Sequence, residues 1–235
     1  MGQVYYYIFC YSYNGTNDGD WRYKREMIYP RIISMMIGYA CGCVLTAEIV
    51  TRRLTGKPCS ELGTTGNPGM ANVMAHLGFA PGIIVLAGDL AKTVIAVLVS
   101  MLIFHSEGHI IVYYAALGTT LGHNYPVWQR FRGGKGVATS CAGYFLCMPL
   151  QGLLSMIAGM LVVFATRYLG LGAVVIALCF IPFAFVCEGT EAGAIAVILA
   201  MLMMQKHFPA VRDIFTGKAE KVDVLGAIRD KLQKR

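Results

Sequence analysis

The sequence predicts an all-α integral membrane protein, a polytopic bundle of about seven helical spans, some of them short. Three observations predict it. Hydrophobic residues make up 56% of the 235 residues and charged residues only 14%, against about 45–50% and about 25% in soluble domains. Stretches such as Val94–Phe104 and Leu169–Cys187 carry no charged side chain, and a run of about 18 or more apolar residues is long enough to cross a bilayer. Lys and Arg gather in the gaps between the apolar runs, the pattern that orients membrane helices. The composition excludes a disordered chain, a coiled coil and most soluble enzymes. The formal charge of +7 reads as membrane orientation, with no nucleic-acid partner, because neither a basic stripe nor an aromatic stacking platform accompanies it.

The elements follow in order. The first span is expected over about Ile32–Val50, closed by Arg52 and Arg53, with a polar, glycine-rich loop from Thr55 to about Gly78. The second runs from near Pro81 to Phe104. It carries Asp89 and Lys92 three residues apart, on one helix face. A short turn at His105–His109 leads to a third span over about Ile110–Trp128. Val137–Thr166 is too long for one span and holds Pro149, a helix breaker. It divides into two short spans with a tight turn at Met148–Gln151. The sixth span covers Leu169–Val186 and a short seventh covers Gly193–Met204. In the charged tail, Val222–Leu232 has the pattern of a small amphipathic surface helix.

Charge orients the bundle. Arg52, Arg53 and Lys57, then Arg130, Arg132 and Lys135, then Arg167, then Lys206 and the tail all fall on one side, and Glu107, Glu188 and Glu191 on the other. Positive residues stay inside, so the N-terminus is expected outside and the C-terminus in the cytoplasm of a multi-pass cell-membrane protein. Residues 1–26 form a polar extension, 27–220 the membrane domain and 221–235 a charged cytoplasmic tail. The extension lacks the features of a signal peptide. Its Arg22, Lys24 and Arg25 sit on the wrong side for this topology, which makes Met27 a second candidate start.

The eight cysteines read as small packing residues. Cys41-Gly42-Cys43 lacks the Cys-x-x-Cys metal spacing. Neither His123 nor His207 has a further His or acid at ligand spacing, so no metal and no cofactor are expected.

The chemistry-bearing segments fall on the cytoplasmic side. Gly63-Thr64-Thr65-Gly66-Asn67-Pro68-Gly69-Met70-Ala71-Asn72 packs glycines, hydroxyls and amides. Successive exposed backbone N–H groups make an anion-binding concavity, and a helix beginning near Asn67–Asn72 would add its dipole. No Gly-Lys-Ser/Thr closes the loop, so it is not a Walker loop. The second segment is Gly122-His123-Asn124-Tyr125-Pro126 followed by Arg132-Gly133-Gly134-Lys135-Gly136-Val137-Ala138-Thr139. It sets one ammonium among three glycines beside an arginine, a chemistry suited to phosphate. Arg130 is explained by membrane anchoring alone. Lys206-His207 stands where the last span meets the cytoplasm. No Gly-x-Ser-x-Gly elbow or Cys–His pairing argues for a covalent acyl-enzyme.

The second segment closely resembles a signature of the bacterial acyl-phosphate:glycerol-3-phosphate acyltransferases, the PlsY family of integral membrane enzymes. That signature is Gly-His-x-x-Pro, four residues, then Phe-x-Gly-Gly-Lys-Gly-Val-Ala-Thr. The first loop resembles the family's Gly-Ser-Gly-Asn-x-Gly-Ala-Thr-Asn-x-x-Arg at Gly66, Asn67, Gly69 and Asn72, with Thr65 at the Ser position. Gly88-Asp89-x-x-Lys92 and Lys206-His207 look like further family features. The resemblance spans about Ile32 to Glu220. It implies catalytic roles for Lys135, His207 and Thr65. It implies substrate contacts from Gly66, Asn67, Gly69, Asn72, His123, Arg132, Gly133, Gly134, Gly136, Thr139, Asp89 and Lys92.

The chain departs from the family where substrate phosphate is held. The Arg of the first motif falls on Ala75, beside His76. The Asn of the third falls on Ala210, and Gly170 stands where the family has a Ser. Either His76 or Arg167 completes the clamp, or the acceptor differs, or activity is impaired. The implied reaction moves a fatty acyl group from acyl phosphate to the 1-hydroxyl of sn-glycerol 3-phosphate, giving lysophosphatidic acid for phospholipid synthesis, at the cytoplasmic face of the bilayer. Two other classes compete with it. One is a transporter or binding protein for an anionic, phosphorylated solute, which predicts mid-membrane cations and an internal repeat; neither is seen. The other is a catalytically weak regulatory paralogue.

Overall fold

The structure, a computed structural model, describes residues 21–219 and 221. Every regular element among them is helical. They are α1 (Trp21–Gly42), α2 (Thr46–Thr55), α3 (Met70–Leu77), α4 (Phe79–Ile103), α5 (Ile110–Asn124), α6 (Val137–Cys147), α7 (Pro149–Thr166), α8 (Leu169–Glu188) and α9 (Thr190–Phe215), with single 3-10 turns at Cys59–Glu61 and Val127–Gln129. Five stretches are long and apolar enough to cross a membrane: Ile28–Thr55, Phe79–Ile103, Pro149–Thr166, Leu169–Glu188 and Thr190–Phe215. Helices α5 and α6 are shorter. Residues 1–20, most of the polar extension, and the amphipathic segment Val222–Leu232 lie outside the described residues. Trp21–Glu26 form the first turns of α1.

Helix α5 is the axis of the bundle. Twelve of its fifteen residues are buried, because α1, α4, α6 and α9 surround it. Its closest neighbour is α1, and the reason is a pair of small-residue ridges. A Cβ on Gly38 or Gly42 would collide with the carbonyl oxygen of Ala115 or Thr119, and a Cβ on Gly118 or Gly122 with that of Met35 or Tyr39. Two Gly-x-x-x-Gly faces thus press backbone against backbone, the arrangement that lets membrane helices associate without a hydrophobic driving force.

The first span differs from the sequence reading. It breaks at Cys43–Leu45 instead of running unbroken over Ile32–Val50. A break inside an apolar span strands carbonyl groups, which must find donors. Here Lys92 Nζ donates to the carbonyls of Gly42 (3.3 Å) and Val44 (3.0 Å), and Trp128 Nε1 donates to that of Cys43 (2.7 Å). The third span ends at Asn124 rather than Trp128, since Pro126 cannot continue the ladder. The division at Pro149 occurs with a tighter turn than expected: Met148 alone links α6 to α7, and Pro149 takes the first helical position. The last helix runs to Phe215 instead of stopping at Met204. Lys206 does not end it, because its ammonium reaches the Asn124 carbonyl (2.7 Å) and lies 4.1 Å from the centre of the Tyr125 ring.

The two ends of the bundle are chemically distinct. At one end Arg31 of α1 grips Glu191 of α9 with two hydrogen bonds (2.5 and 2.8 Å), Tyr114 donates to the same carboxylate (2.9 Å), and His109 lies 3.5 Å from Glu188. The opposite end carries α2, α3 and the two glycine-rich loops.

Candidate active site

The first loop is folded by its own polar groups. Asn72, at the start of α3, donates from Nδ2 to the Leu62 carbonyl (3.0 Å), and the Thr65 hydroxyl donates to Asn72 Oδ1 (3.3 Å). The same hydroxyl accepts from the Asn67 backbone N–H (3.4 Å). Helix α3 begins at Met70 with Gly69 as its N-cap. His76 Nδ1 bonds to the Asn72 carbonyl (2.9 Å), and its ring lies under Gly63.

The second loop folds back over the end of α5. Gly133 N–H donates to the Asn124 carbonyl (3.1 Å) and Gly134 N–H to the His123 carbonyl (3.0 Å). A Cβ on Gly134 would strike the His123 ring, which is why the residue there is glycine. Arg130 and Phe131 both have positive φ, 51° and 61°. Two adjacent side-chain-bearing residues in that region are costly, and such strain concentrates at functional sites. Thr139 is buried and donates to the Gly136 carbonyl (3.0 Å), closing the loop onto α6.

Between the loops lies a cavity of about 640 Å³ lined by Glu48, Arg52, Ser60, Thr65, Gly66, Asn67, Pro68, Trp128, Gln129, Arg130, Arg132, Gly133 and Lys135. Its walls carry four cations, two hydroxyls and backbone from two glycine-rich turns. The Lys135 ammonium and the guanidiniums of Arg130 and Arg132 make no hydrogen bond to any described residue. Desolvation holds the Lys135 ammonium below the usual lysine range. Among the described residues no three His, Cys, Asp or Glu side chains gather as a metal-binding group.

Of the residues singled out in the sequence, Thr65, Gly66, Asn67, Arg132, Gly133 and Lys135 line this cavity. Gly69, Asn72, Gly134, Gly136 and Thr139 do not line it, although Asn72 bonds to the lining Thr65. Asp89, Lys92 and His123 do not face it. They are 2%, 6% and 4% exposed and form one buried cluster, with Lys92 Nζ 2.9 Å from Asp89 Oδ1 and 2.8 Å from His123 Nδ1. The ammonium can only donate, so His123 Nδ1 accepts. His207 is also buried, with Nδ1 bonded to the Met203 carbonyl (3.0 Å). A carbonyl can only accept, so Nδ1 carries the proton and Nε2 the lone pair. His207 does not line the cavity. Neither His76 nor Arg167 lines the cavity.

Sequence reasoning missed Glu48, Arg52, Ser60, Trp128 and Gln129, and took Arg130 for an anchor when it lines the cavity. The pairing of Glu48 with Arg52 at i, i+4 was the one available signal, since such pairs meet on a helix face.

Comparison with known proteins agrees with this geometry. Residues 32–217 match the family described as glycerol-3-phosphate acyltransferase. Glycerol-3-phosphate acyltransferase 1 of Lactobacillus johnsonii is 38% identical over 200 residues, covering 85% of this chain and 96% of the relative. The glycerol-3-phosphate acyltransferase of a Thermoanaerobacter species is 32% identical over 192 residues, covering 81% and 95%. The crystal structure of PlsY (YgiH), an integral membrane glycerol 3-phosphate acyltransferase, in its glycerol 3-phosphate form superposes with a TM-score of 0.72 at 25% identity, covering 86% of this chain and 98% of that one. With its helical membrane bundle and its two glycine-rich loops facing one cationic cavity, the chain belongs to the glycerol-3-phosphate acyltransferase family.

Proposed function

We propose that this protein transfers a fatty acyl group from acyl phosphate to the 1-hydroxyl of sn-glycerol 3-phosphate at the cytoplasmic face of the cell membrane, forming lysophosphatidic acid and inorganic phosphate. The observation that carries the reading is the cavity itself. Four cations, set against the single carboxylate of Glu48, and two amide-rich turns meet at one end of a membrane bundle, leaving net positive charge for phosphorylated substrates. Trp128 lines the cavity and is exposed, as are Val127 and Phe131 next to it. An acyl chain leaving the cavity along these side chains reaches the bilayer.

The acyl phosphate is already activated, so the protein supplies orientation and charge rather than a nucleophile. The acceptor hydroxyl oxygen attacks the acyl carbonyl carbon, a C–O ester bond forms, the C–O bond to phosphate breaks, and the hydroxyl proton passes to the departing phosphate. Lys135, Arg132 and the Gly133–Gly134 backbone stabilise charge on the carbonyl and on the leaving group. Thr65 orients the acceptor, and His207, with its lone pair on Nε2, takes the catalytic part that the family resemblance gives it. Asp89, Lys92 and His123 support the loops from below, as positioning residues. Seven crossings, with α5 and α6 as the short ones, the N-terminus outside and the C-terminus cytoplasmic, suit the basic loops. Residues 27–220 are then the acyltransferase domain, between a polar extension and a charged tail.

The test is an assay of the purified protein with acyl phosphate and glycerol 3-phosphate, with acyl-CoA and acyl-carrier-protein donors in parallel. Release of one inorganic phosphate per lysophosphatidic acid supports the reading. Turnover confined to a thioester donor overturns it.

A further inference from the structure

We infer that Arg52, aimed by the buried carboxylate of Glu48, holds the phosphate of the acceptor and so replaces the cation missing at Ala75. The inference rests on the proposed acyl transfer and names a residue for its acceptor half. It starts from Glu48, which carries a charge at the edge of an apolar bundle with only 6% of its side chain exposed. Both of its oxygens are occupied. Oε2 accepts from the Cys59 backbone N–H (2.9 Å) and Oε1 accepts from Arg52 Nε (2.5 Å). The carboxylate is thereby fixed in place by its two donors, and its pairing with Arg52 aims the guanidinium rather than adding net charge to the cavity.

The consequence falls on Arg52. Its Nε is committed to Glu48, while 56% of its side chain remains exposed and it lines the cavity. Its two Nη groups have no partner among the described residues. A guanidinium held at Nε presents its two Nη groups as a pre-set fork, the geometry that grips phosphate in two places. Arg53 is the control on the same helix: it is exposed and does not line the cavity.

The assignment to the acceptor rather than the donor follows from the two walls. Arg132, Gly133 and Lys135 belong to the loop that follows α5 and serve the acyl phosphate. Arg52 stands on the wall of Ser60 and Thr65, on α2, which packs against α3. Ala75 lies on α3 and does not line the cavity. A cation from the adjoining helix fills the same cavity from a different position.

The experiment uses the full chain and compares wild type, Arg52→Gln, Arg53→Gln, Glu48→Gln and the Glu48→Gln/Arg52→Gln pair in steady-state kinetics. Loss of a charge-assisted contact predicts that Arg52→Gln raises KM for glycerol 3-phosphate about tenfold or more. KM for acyl phosphate stays within about twofold, and Arg53→Gln matches wild type. Glu48 acts through Arg52, so the double variant should be no worse than Arg52→Gln, a non-additivity that a purely structural role for Glu48 would not produce. Arg52→Lys keeps the charge without the fork and recovers part of the binding. An unchanged acceptor KM in Arg52→Gln overturns the inference, and so does a rise confined to acyl phosphate. A wild-type protein that does not acylate glycerol 3-phosphate overturns the proposed function itself, and the inference with it. Heat-unfolding midpoints taken alongside separate misfolding from lost binding, because a variant that unfolds lowers kcat and active fraction without raising one KM selectively.

Discussion

Gly170 of α8 packs directly against Ala210 of the neighbouring α9: a Cβ on Gly170 would stand 3.1 Å from the Ala210 Cβ and 3.5 Å from His207 Cδ2. Two of the positions that the motif resemblance marks as substituted therefore share one small space beside His207. The two helices pack closely there, so a side chain at position 170 would have to displace Ala210 by a few tenths of an ångström, and an added polar group at either position would stand next to the imidazole.

Ala210→Asn should accordingly lower the KM for glycerol 3-phosphate by about two- to tenfold, the value of one ordinary hydrogen bond. Ala75→Arg should add little, since position 75 is exposed and outside the cavity. Acceptor titrations of the two single variants and the double variant check this. A large gain from Ala75→Arg would show that the wall near α3 lacks a cation.

Lys135 gives a pH dependence with a definite sign. Desolvation lowers its folded-state pKa, so it loses its proton at a lower pH than an exposed lysine. Activity that needs the ammonium falls on the alkaline side, and the limb lies below the ordinary lysine range. Bound anion favours the charged form, so the limb in kcat should lie at higher pH than that in kcat/KM. Lys135→Arg should move both limbs upward, while Lys135→Ala should lower kcat/KM about tenfold or more at neutral pH. A pH–rate profile of the three proteins is the measurement.

Arg130 now stands on the cavity wall, so Arg130→Ala should also weaken substrate binding. An anchoring charge would change membrane insertion instead. Michaelis constants and insertion levels of the variant, measured together, distinguish these outcomes.

Lys92 carries a structural prediction. It satisfies two carbonyls of the broken first span and faces Asp89 and His123. Lys92→Met leaves those carbonyls without a donor and one buried carboxylate without its counter-charge, which costs about 3–5 kcal/mol. The thermal midpoint in detergent should fall by many degrees. Arg132→Ala, at the solvent-facing wall, should leave that midpoint unchanged while lowering activity.

Topology is tested by single-cysteine labelling. Positions 57, 135 and 218 should be reached only from the cytoplasm and position 107 only from outside. The cavity end and the Arg31–Glu191 end of the bundle must then react from opposite sides of the membrane.

Much of this protein was decided by short-range sequence pattern. Uncharged runs can only be lipid-facing or packed helices, Pro149 must divide the stretch that contains it, and Gly133-Gly134-Lys135-Gly136 is recognisable without any fold. Tertiary structure alone decided the rest, because it depends on partners far apart in the chain. Trp128 reaches the carbonyl of Cys43 from 85 residues away, and Lys92 reaches that of Val44 from 48. The broken first span is tolerable only because those donors arrive. Burial likewise separated the cations: Lys92 was drawn into the core by Asp89, His123 and stranded carbonyls, while Arg52 and Arg130, unremarkable in the sequence, were left at the cavity with free donors. A charge's role was set by what surrounds it once the helices pack, which no local pattern of residues contains.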